Sequence, residues 1–223
     1  MCLTLKEAEF LCHLGDKLKP IAMVNHIDTH NQAVAYYRDN IYKKGEYLEL
    51  SGGIGAAYKA RDDMTPLWEY SPHFIAMVLD ISKIKEVFIK CANIPSEIEQ
   101  SGHMNYVIEM RGDNLLATIK AGNGFLEKTR YMMMGSSGQK YMFKDRVQFR
   151  LVQIFEDINH IEPILEVGDE KPLTSSLRSF SDAIELGEPN YSNLTLGRNV
   201  VAILESADCC LKDRSNGAKI RLN

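Results

Sequence analysis

The pattern of apolar residues predicts helices near both ends of the chain and strands between them. Near the start, Thr4 can cap a helix whose apolar positions keep a helical period until Gly15 or the Lys-Pro pair at 19–20. A buried strand is predicted over residues 20–25, and a second helix over residues 31–44 with Gly45 as its stop. Toward the C-terminus, the pattern predicts helices over residues 173–186 and 194–212 and a closing strand over 218–222.

From residue 46 the pattern changes to a period of two, which is typical of a strand, and this strand is predicted to open into a glycine-rich turn at 52–55. Short strand-like runs separated by Gly, Asn, Asp and Ser follow over residues 84–93, 103–110, 115–121, 129–134, 139–143 and 149–154. Residues 112–114 and 122–124 have the composition of hairpin turns. The sequence therefore predicts an α+β fold, with a large, predominantly antiparallel open sheet that has helices on one face.

Composition narrows the class of protein. The 223 residues are 45% hydrophobic and 25% charged, and the net charge of -4 is spread along the chain, which disfavours nucleic-acid and membrane partners. No apolar run approaches the length of a membrane span and no signal peptide begins the chain, so we expect a cytoplasmic protein. The five cysteines lack metal-site spacing and are expected to be reduced.

A carboxylate and a histidine four residues apart form the principal candidate site. Ser71 and Pro72 suit the N-cap and the first position of a helix, which would place His73 in the first turn. There the helix dipole would favour the neutral imidazole that a general base requires, with Glu69 close by. The alternative is a capped helix whose first-turn histidine only packs.

Other candidates are weaker. Residues 52–57 have a glycine spacing that suggests a dinucleotide site, but Pro66 and the expected helix start at 71–72 interrupt the required strand-helix-strand unit. His26 and His30 have a metal-ligand spacing around Asp28, yet they straddle a predicted strand end and helix start, so structural roles are favoured and no metal is expected.

A resemblance to a known family adds to this interpretation. Residues 67–78, LWEYSPHFIAMV, resemble the L-W-D-Y-G-P-H-D-x-A-M segment of the glucose-fructose oxidoreductase, inositol dehydrogenase and rhizopine catabolism (Gfo/Idh/MocA) family of NAD(P)-dependent oxidoreductases. Further segments resemble this family in its own order, namely residues 3–11, 21–26, 52–63, 131–138 and the tail 172–189 with its P-L-x-x-x-L-x-x-F-x-x-A-I pattern. Glu69, Ser71 and Phe74 depart from it, since Asp, Gly and Asp are usual there.

The resemblance implies how the chain is organised. Residues 1–27 would be a short remnant of a Rossmann domain, its last helix and strand, and residues 28–223 a C-terminal substrate-binding and oligomerisation domain. Most of the nucleotide-binding half, and the lysine of the family's E-K-P motif, would precede Met1. We therefore expect no cofactor-binding residue in this chain, although NAD(P) is implied for the complete architecture.

The resemblance also implies a function and a set of site residues. The chain would be the substrate-binding and dimerisation part of an oxidoreductase acting on CH-OH groups of a sugar or cyclitol, inactive alone, and a homo-oligomer through its open sheet face. His73 and Glu69 would be catalytic, and the expected substrate-binding residues are Arg61, Asp62, Trp68 and Tyr70. The alternative is a non-catalytic sugar-binding or oligomerisation module that pairs with a full-length relative.

Overall fold

The computed structural model describes residues 2–59, 61–144, 150–154, 161–166, 170–187, 194–213 and 215–223. The helices are α1 (Leu5–Leu18), α2 (Gln32–Tyr36), α3 (Pro66–Ser82), α4 (Pro172–Leu186) and α5 (Leu194–Asp213), with a 3₁₀ helix at Ile27–His30 and a π-helical turn at Tyr37–Ile41. The strands are β1 (Leu48–Gly55), β2 (Glu86–Ile94), β3 (Asn105–Gly112), β4 (Leu115–Gly122), β5 (Thr129–Ser136), β6 (Gln139–Lys144), β7 (Arg150–Ile154), β8 (Ile161–Glu166) and β9 (Ala218–Arg221).

The described strands form one open sheet in the order β8-β7-β6-β5-β1-β4-β3-β2-β9. β1 runs parallel to β4. Every other neighbouring pair is antiparallel. The predicted α+β fold with a large, predominantly antiparallel sheet is therefore confirmed.

Helices cover one face of this sheet. Side chains alternate along the strands, so that Ile108 and Met110 of β3 are buried while Arg111 is exposed. Buried residues of β1, β4, β5 and β6 lie on the same side, where α3 packs against β4 and β1, and α5 packs against β2. Met132 and Met134 belong to this core, whereas Met133 points to the other face and is half-buried.

The N-terminal helix forms as its sequence predicts. The hydroxyl of Thr4 accepts a hydrogen bond from the backbone N–H of Glu7, and the carboxylate of Glu7 accepts one from the N–H of Thr4. This reciprocal pair satisfies N–H groups that the helix itself leaves without acceptors. The strand predicted over residues 20–25 is wrong, because no strand of the described sheet lies there.

The start of α3 differs from the prediction in a way that matters for the site. The helix begins at Pro66 after Thr65, so Ser71 is not its N-cap and Pro72 lies inside it. Pro66 takes the first position, where a missing N–H costs nothing. His73 consequently lies in the interior of α3, and the argument that the helix dipole keeps its ring neutral is wrong because that effect is confined to the first turn.

The predicted glycine-rich turn is also wrong. Gly52, Gly53 and Gly55 lie within β1, between β4 and β5. A Cβ on Gly55 would lie 2.0 Å from the carbonyl oxygen of Gly122 and 2.5 Å from the Phe125 ring. These glycines therefore permit close packing inside a sheet and do not form the strand-to-helix turn that holds a dinucleotide.

Two smaller predictions require correction. The helix predicted over residues 31–44 ends earlier, because α2 passes into the π-helical turn that ends at Ile41. Residues 122–124 do not close a hairpin, since β4 pairs with β1 and β3 while β5 pairs with β1 and β6. Asn123 instead donates to the carbonyl oxygens of Tyr58 and Gly102 and so ties separate loops together.

Candidate functional site

The His73 ring lies against the carboxylate of a residue from an earlier part of the chain. Its Nδ1 atom lies 2.7 Å from Oδ2 of Asp28, which belongs to the 3₁₀ helix. The Asp28 side chain is 3% exposed and that of His73 is 33% exposed, so the acid is buried while the imidazole reaches the surface. A partly exposed imidazole thus lies in contact with a buried carboxylate.

Arg130 holds the other oxygen of the same carboxylate. Arg130 is the second residue of β5, and its guanidinium donates a short hydrogen bond to Oδ1 of Asp28. Burial opposes the charged form of Asp28, but the contacts with His73 and Arg130 outweigh it and lower the pKa of this carboxyl below its ordinary value. Asp28 therefore has Oδ1 hydrogen-bonded to Arg130 and Oδ2 within ion-pair distance of His73, although Oδ2 accepts no hydrogen bond from the described residues.

A second histidine lies beside this triad. His26 is buried, and burial together with the neighbouring His73 lowers its pKa from 6.5 to about 4. Its Nε2 atom has no hydrogen-bond partner among the described residues. His26 is thus neutral at physiological pH, and it adds no positive charge next to His73.

Glu69, predicted as the partner of His73, makes no ion pair with it in the described part of the chain. It is half-buried one turn earlier on α3. Tyr70 is also half-buried, its hydroxyl lacks a partner, and burial raises its pKa to about 12. Trp68 is 9% exposed and packs in the hydrophobic core.

Arg61 and Asp62 lie in the exposed segment between β1 and α3. Arg61 forms an ion pair with Asp63 at 2.6 Å, and each partner shifts the pKa of the other toward its charged form. No described contact joins Arg61 or Asp62 to His73 or Asp28. The structure therefore brings together His73, Asp28, Arg130 and His26, and leaves these two predicted residues outside the cluster.

Neither Asp28 nor Arg130 is predicted as a site residue by the sequence. In the sequence, Asp28 stands out only as the residue between His26 and His30, a weak candidate for a metal site. Arg130 lies in a strand 102 positions later. The described residues contain no group of three or more His, Cys, Asp or Glu side chains that could hold a metal ion. All five cysteines are free thiols in the structure, with Cys210 buried and Cys209 exposed.

A cavity of about 530 Å³ lies between α1 and α5, lined mainly by apolar side chains such as Leu11, Val24 and Leu194, and it shares no lining residue with the His73 cluster. None of the described helices is both long and apolar enough to cross a bilayer.

Solved structures with the same fold are oxidoreductases. A UDP-N-acetylglucosamine 3-dehydrogenase from Acidithiobacillus ferrooxidans matches with a TM-score of 0.79 and 16% identity, over 95% of this chain and 68% of that one. An aldose-aldose oxidoreductase from Caulobacter crescentus matches with a TM-score of 0.75 and 10% identity, over 100% of this chain and 70% of that one. A protein described as an NADPH-dependent oxidoreductase from Desulfitobacterium hafniense has a TM-score of 0.79 and 10% identity, over 98% and 70%.

The comparison with protein-family models and that with curated proteins give no match. At identities below 25%, the structural likeness is a statement about the fold. It covers nearly the whole chain, and it agrees with the motifs in residues 67–78 and 172–189. The chain therefore has the α+β fold of Gfo/Idh/MocA-type oxidoreductases, as its sequence motifs predicted.

Proposed function

We propose that this chain is the substrate-binding and oligomerisation part of an NAD(P)-dependent oxidoreductase acting on a CH-OH group of a sugar or cyclitol. One observation carries the proposal. His73, in the motif that resembles the family's D-x-x-x-H segment, is one-third exposed and has one ring nitrogen 2.7 Å from a buried carboxylate oxygen. The names of two structural neighbours, a nucleotide-sugar dehydrogenase and an aldose oxidoreductase, support a sugar as the ligand class.

In this role His73 exchanges a proton with the substrate hydroxyl. Its position at the surface lets a ligand reach the ring, and its contact with Asp28 stabilises the imidazolium that forms when the proton is accepted. Glu69, Tyr70, Arg61 and Asp62 remain proposed ligand contacts on the same side of α3 and on the segment before it. Trp68 would shape the pocket from within, since its ring packs in the core.

NAD(P) would supply the hydride acceptor in the complete architecture. The described residues do not fit this group, because the glycines at 52, 53 and 55 lie inside β1 and do not open a helix. We therefore assign no cofactor-binding residue to this chain. We propose that residues 1–27 belong to the nucleotide-binding half, residues 28–223 form the substrate domain, and the chain is inactive alone. The cytoplasmic location expected from the sequence stays a prediction.

The alternative function is a non-catalytic module that binds a sugar or pairs with a full-length relative. Phe10, Leu18 and Ile21 of the N-terminal segment are large apolar residues that are 60%, 68% and 42% exposed, and they favour a protein partner on that side. Glu69 and Ser71, which stand where the family has Asp and Gly, also favour this function. Retention of a full-length relative by the purified chain, lost on Phe10→Glu, would support it.

Saturation-transfer NMR with a panel of sugars, cyclitols and nucleotide sugars tests the proposed function. We expect at least one compound to bind the chain and to lose binding in His73→Ala. His13→Ala, at an exposed position of α1, is the matched control and should bind normally. Binding that is unaffected by His73→Ala, or no binding by any compound of the panel, would contradict the site.

A further inference from the structure

We propose that the cavity between α1 and α5 is a binding site for an uncharged amphiphile, a molecule with an apolar body and one carbonyl or hydroxyl oxygen. The cavity has a volume of about 530 Å³ and shares no lining residue with the cluster around His73. Binding sites for small molecules commonly have volumes of roughly 300–1,000 Å³. The proposal is independent of the proposed function, and either can fail without the other.

The walls of the cavity come from three segments of the chain. Ala8 and Leu11 lie on α1, Val201 lies on α5, and Val24 lies in the segment that precedes the 3₁₀ helix. Gly197 of α5 permits this arrangement, because a Cβ there would lie 2.7 Å from a methyl carbon of Val24. The two helices and the segment thus border a space with mainly apolar walls, which favours a ligand with an apolar body.

The cavity reaches the surface of the protein. Leu3 and Leu11, which both line it, are 53% and 44% exposed, whereas Ala8 and Val201 are 5% and 2% exposed. A ligand can therefore enter past the two leucines without unfolding of either helix. Its apolar body would remove part of these exposed side chains from water, which stabilises the complex.

One wall of the cavity contains a buried cation. Arg198 lines the cavity and is 8% exposed. Its guanidinium donates to the carboxylate of Glu9 at 2.7 Å and to the side-chain oxygen of Asn199 at 3.2 Å, but its Nε atom has no acceptor among the described residues. A buried N–H group without an acceptor costs free energy, so a ligand oxygen that accepts from the guanidinium would stabilise this wall.

The charges around the cavity favour an uncharged ligand over an anion. The positive charge of Arg198 is already balanced by Glu9. Glu7 also lines the cavity, and its carboxylate accepts from the N–H groups of Leu3 and Thr4. A ligand carboxylate would therefore add a second unbalanced negative charge beside Glu7. A carbonyl or hydroxyl oxygen can accept from the guanidinium without adding charge.

Fluorescence titration of the full chain with Nile red, an uncharged apolar dye, tests the site, with octanol and octanoate as competitors of equal chain length. We expect saturable binding of the dye and its displacement by octanol. Octanoate should compete at least about tenfold less well at neutral pH, because its charge adds to that of Glu7. Absence of saturable dye binding would overturn the proposal, and so would equal competition by the alcohol and the anion.

Leu11→Glu and Phe10→Glu show where the dye binds. Both replace an apolar residue of α1 that is exposed, by 44% and 60%, but only Leu11 lines the cavity. Leu11→Glu should weaken dye binding at least about tenfold, whereas Phe10→Glu, the matched control, should leave it unchanged. Equal dissociation constants in the two variants would place the dye on the general apolar surface and overturn the proposal.

Cys2 and Cys209 provide a test that needs no substitution. Cys2 is partly exposed and lines the cavity, while Cys209 is exposed and does not line it. Saturating octanol should slow the alkylation of Cys2 by iodoacetamide, measured by peptide mass spectrometry, and leave the rate at Cys209 unchanged. An unchanged rate at Cys2 would overturn the proposal even if no variant folds. Absence of sugar binding together with protection of Cys2 would reject the proposed function and leave this site intact.

Discussion

Glu69 lies one helical turn before His73 on α3, but the carboxylate that contacts the imidazole belongs to Asp28. The two acids therefore have different tasks in the proposed site. Asp28 is buried behind the ring, while Glu69 is half-buried on the helix and has no ion-pair partner among the described residues. Only Glu69 is placed where a ligand could meet its charge directly.

We expect Glu69→Gln to weaken sugar binding while changing the free energy of unfolding by no more than about 0.5 kcal/mol, because it removes no described ion pair. Thermal unfolding and NMR titration with the bound sugar measure the two effects. Glu97→Gln, on the loop after β2, is the control. It should change the free energy of unfolding by no more than about 0.5 kcal/mol and leave the affinity for the sugar unchanged. A large loss of stability in Glu69→Gln with unchanged affinity would assign Glu69 a structural role.

His73→Ala should lower the melting temperature by only a few degrees while abolishing ligand binding, because the ring is one-third exposed and Asp28 keeps Arg130 as a partner. Calorimetry and ligand NMR on the same sample check this. A fall of more than about 10 °C with binding retained would support the alternative that His73 serves only in packing.

The isolated chain should not bind NAD or NADP. The glycines of β1 fill a sheet and offer no helix N-terminus to a diphosphate, and no other described residue is assigned to the nucleotide. Titration calorimetry should give no saturable heat up to millimolar nucleotide. A dissociation constant in the low micromolar range would show that the chain contains a nucleotide site.

His26 should make the protein less stable in mild acid. Its pKa is about 4 in the folded chain and about 6.5 when unfolded, so between these values the unfolded chain binds more protons and stability rises with pH. The full contribution, on the order of 3 kcal/mol, is lost as the pH falls from about 6.5 to about 4.

His26→Phe should remove most of this pH dependence, because the ring has no hydrogen bond at Nε2 to lose and phenylalanine has a similar shape. Urea unfolding between pH 4 and 7 measures the slope. The Asp28 contribution lies outside this range, since it is lost below the ordinary carboxyl pKa of 3.8. Equal slopes in both proteins would show that folding does not lower the pKa of His26.

We expect the chain to associate through the face of the sheet that no helix covers. Val107, Leu116, Tyr131 and Met133 are half-buried there, and charged residues such as Lys120 lie between them. Met133→Asp, near the centre of this face, should shift the oligomer toward monomer in light scattering, whereas Lys6→Glu at an exposed position of α1 should not. A monomer near 25 kDa for the unmodified chain would contradict the prediction.

The sheet and most helices could be predicted because their signals are local. Thr4 and Glu7 form a capping box within four residues, and β3 alternates buried and exposed side chains along its length. The start of α3 could not be placed in this way, because Thr65-Pro66 and Ser71-Pro72 are equally good helix starts on sequence alone. Burial of Leu67 and Trp68 against the core favours the earlier one.

The site was only half predictable for a related reason. His73 was identified by its motif, but its true partner depends on a 3₁₀ helix packing against α3 and on the register of β5. No spacing within the sequence encodes those contacts. Glu69 was the natural expectation because residues four apart share a helix face, and only the packing of distant segments reveals that Asp28 lies closer.

The position of β1 in the sheet has a consequence for how the chain is made. β1 lies between β4 and β5, and the second of these partners ends about 80 residues later in the sequence. At synthesis rates of about 5–20 residues per second, β1 waits roughly 4–16 s on the ribosome before both edges can be paired. Its three glycines leave few apolar side chains to attract another nascent chain during that interval, so the same residues that allow close packing in the finished sheet also protect the unfinished one.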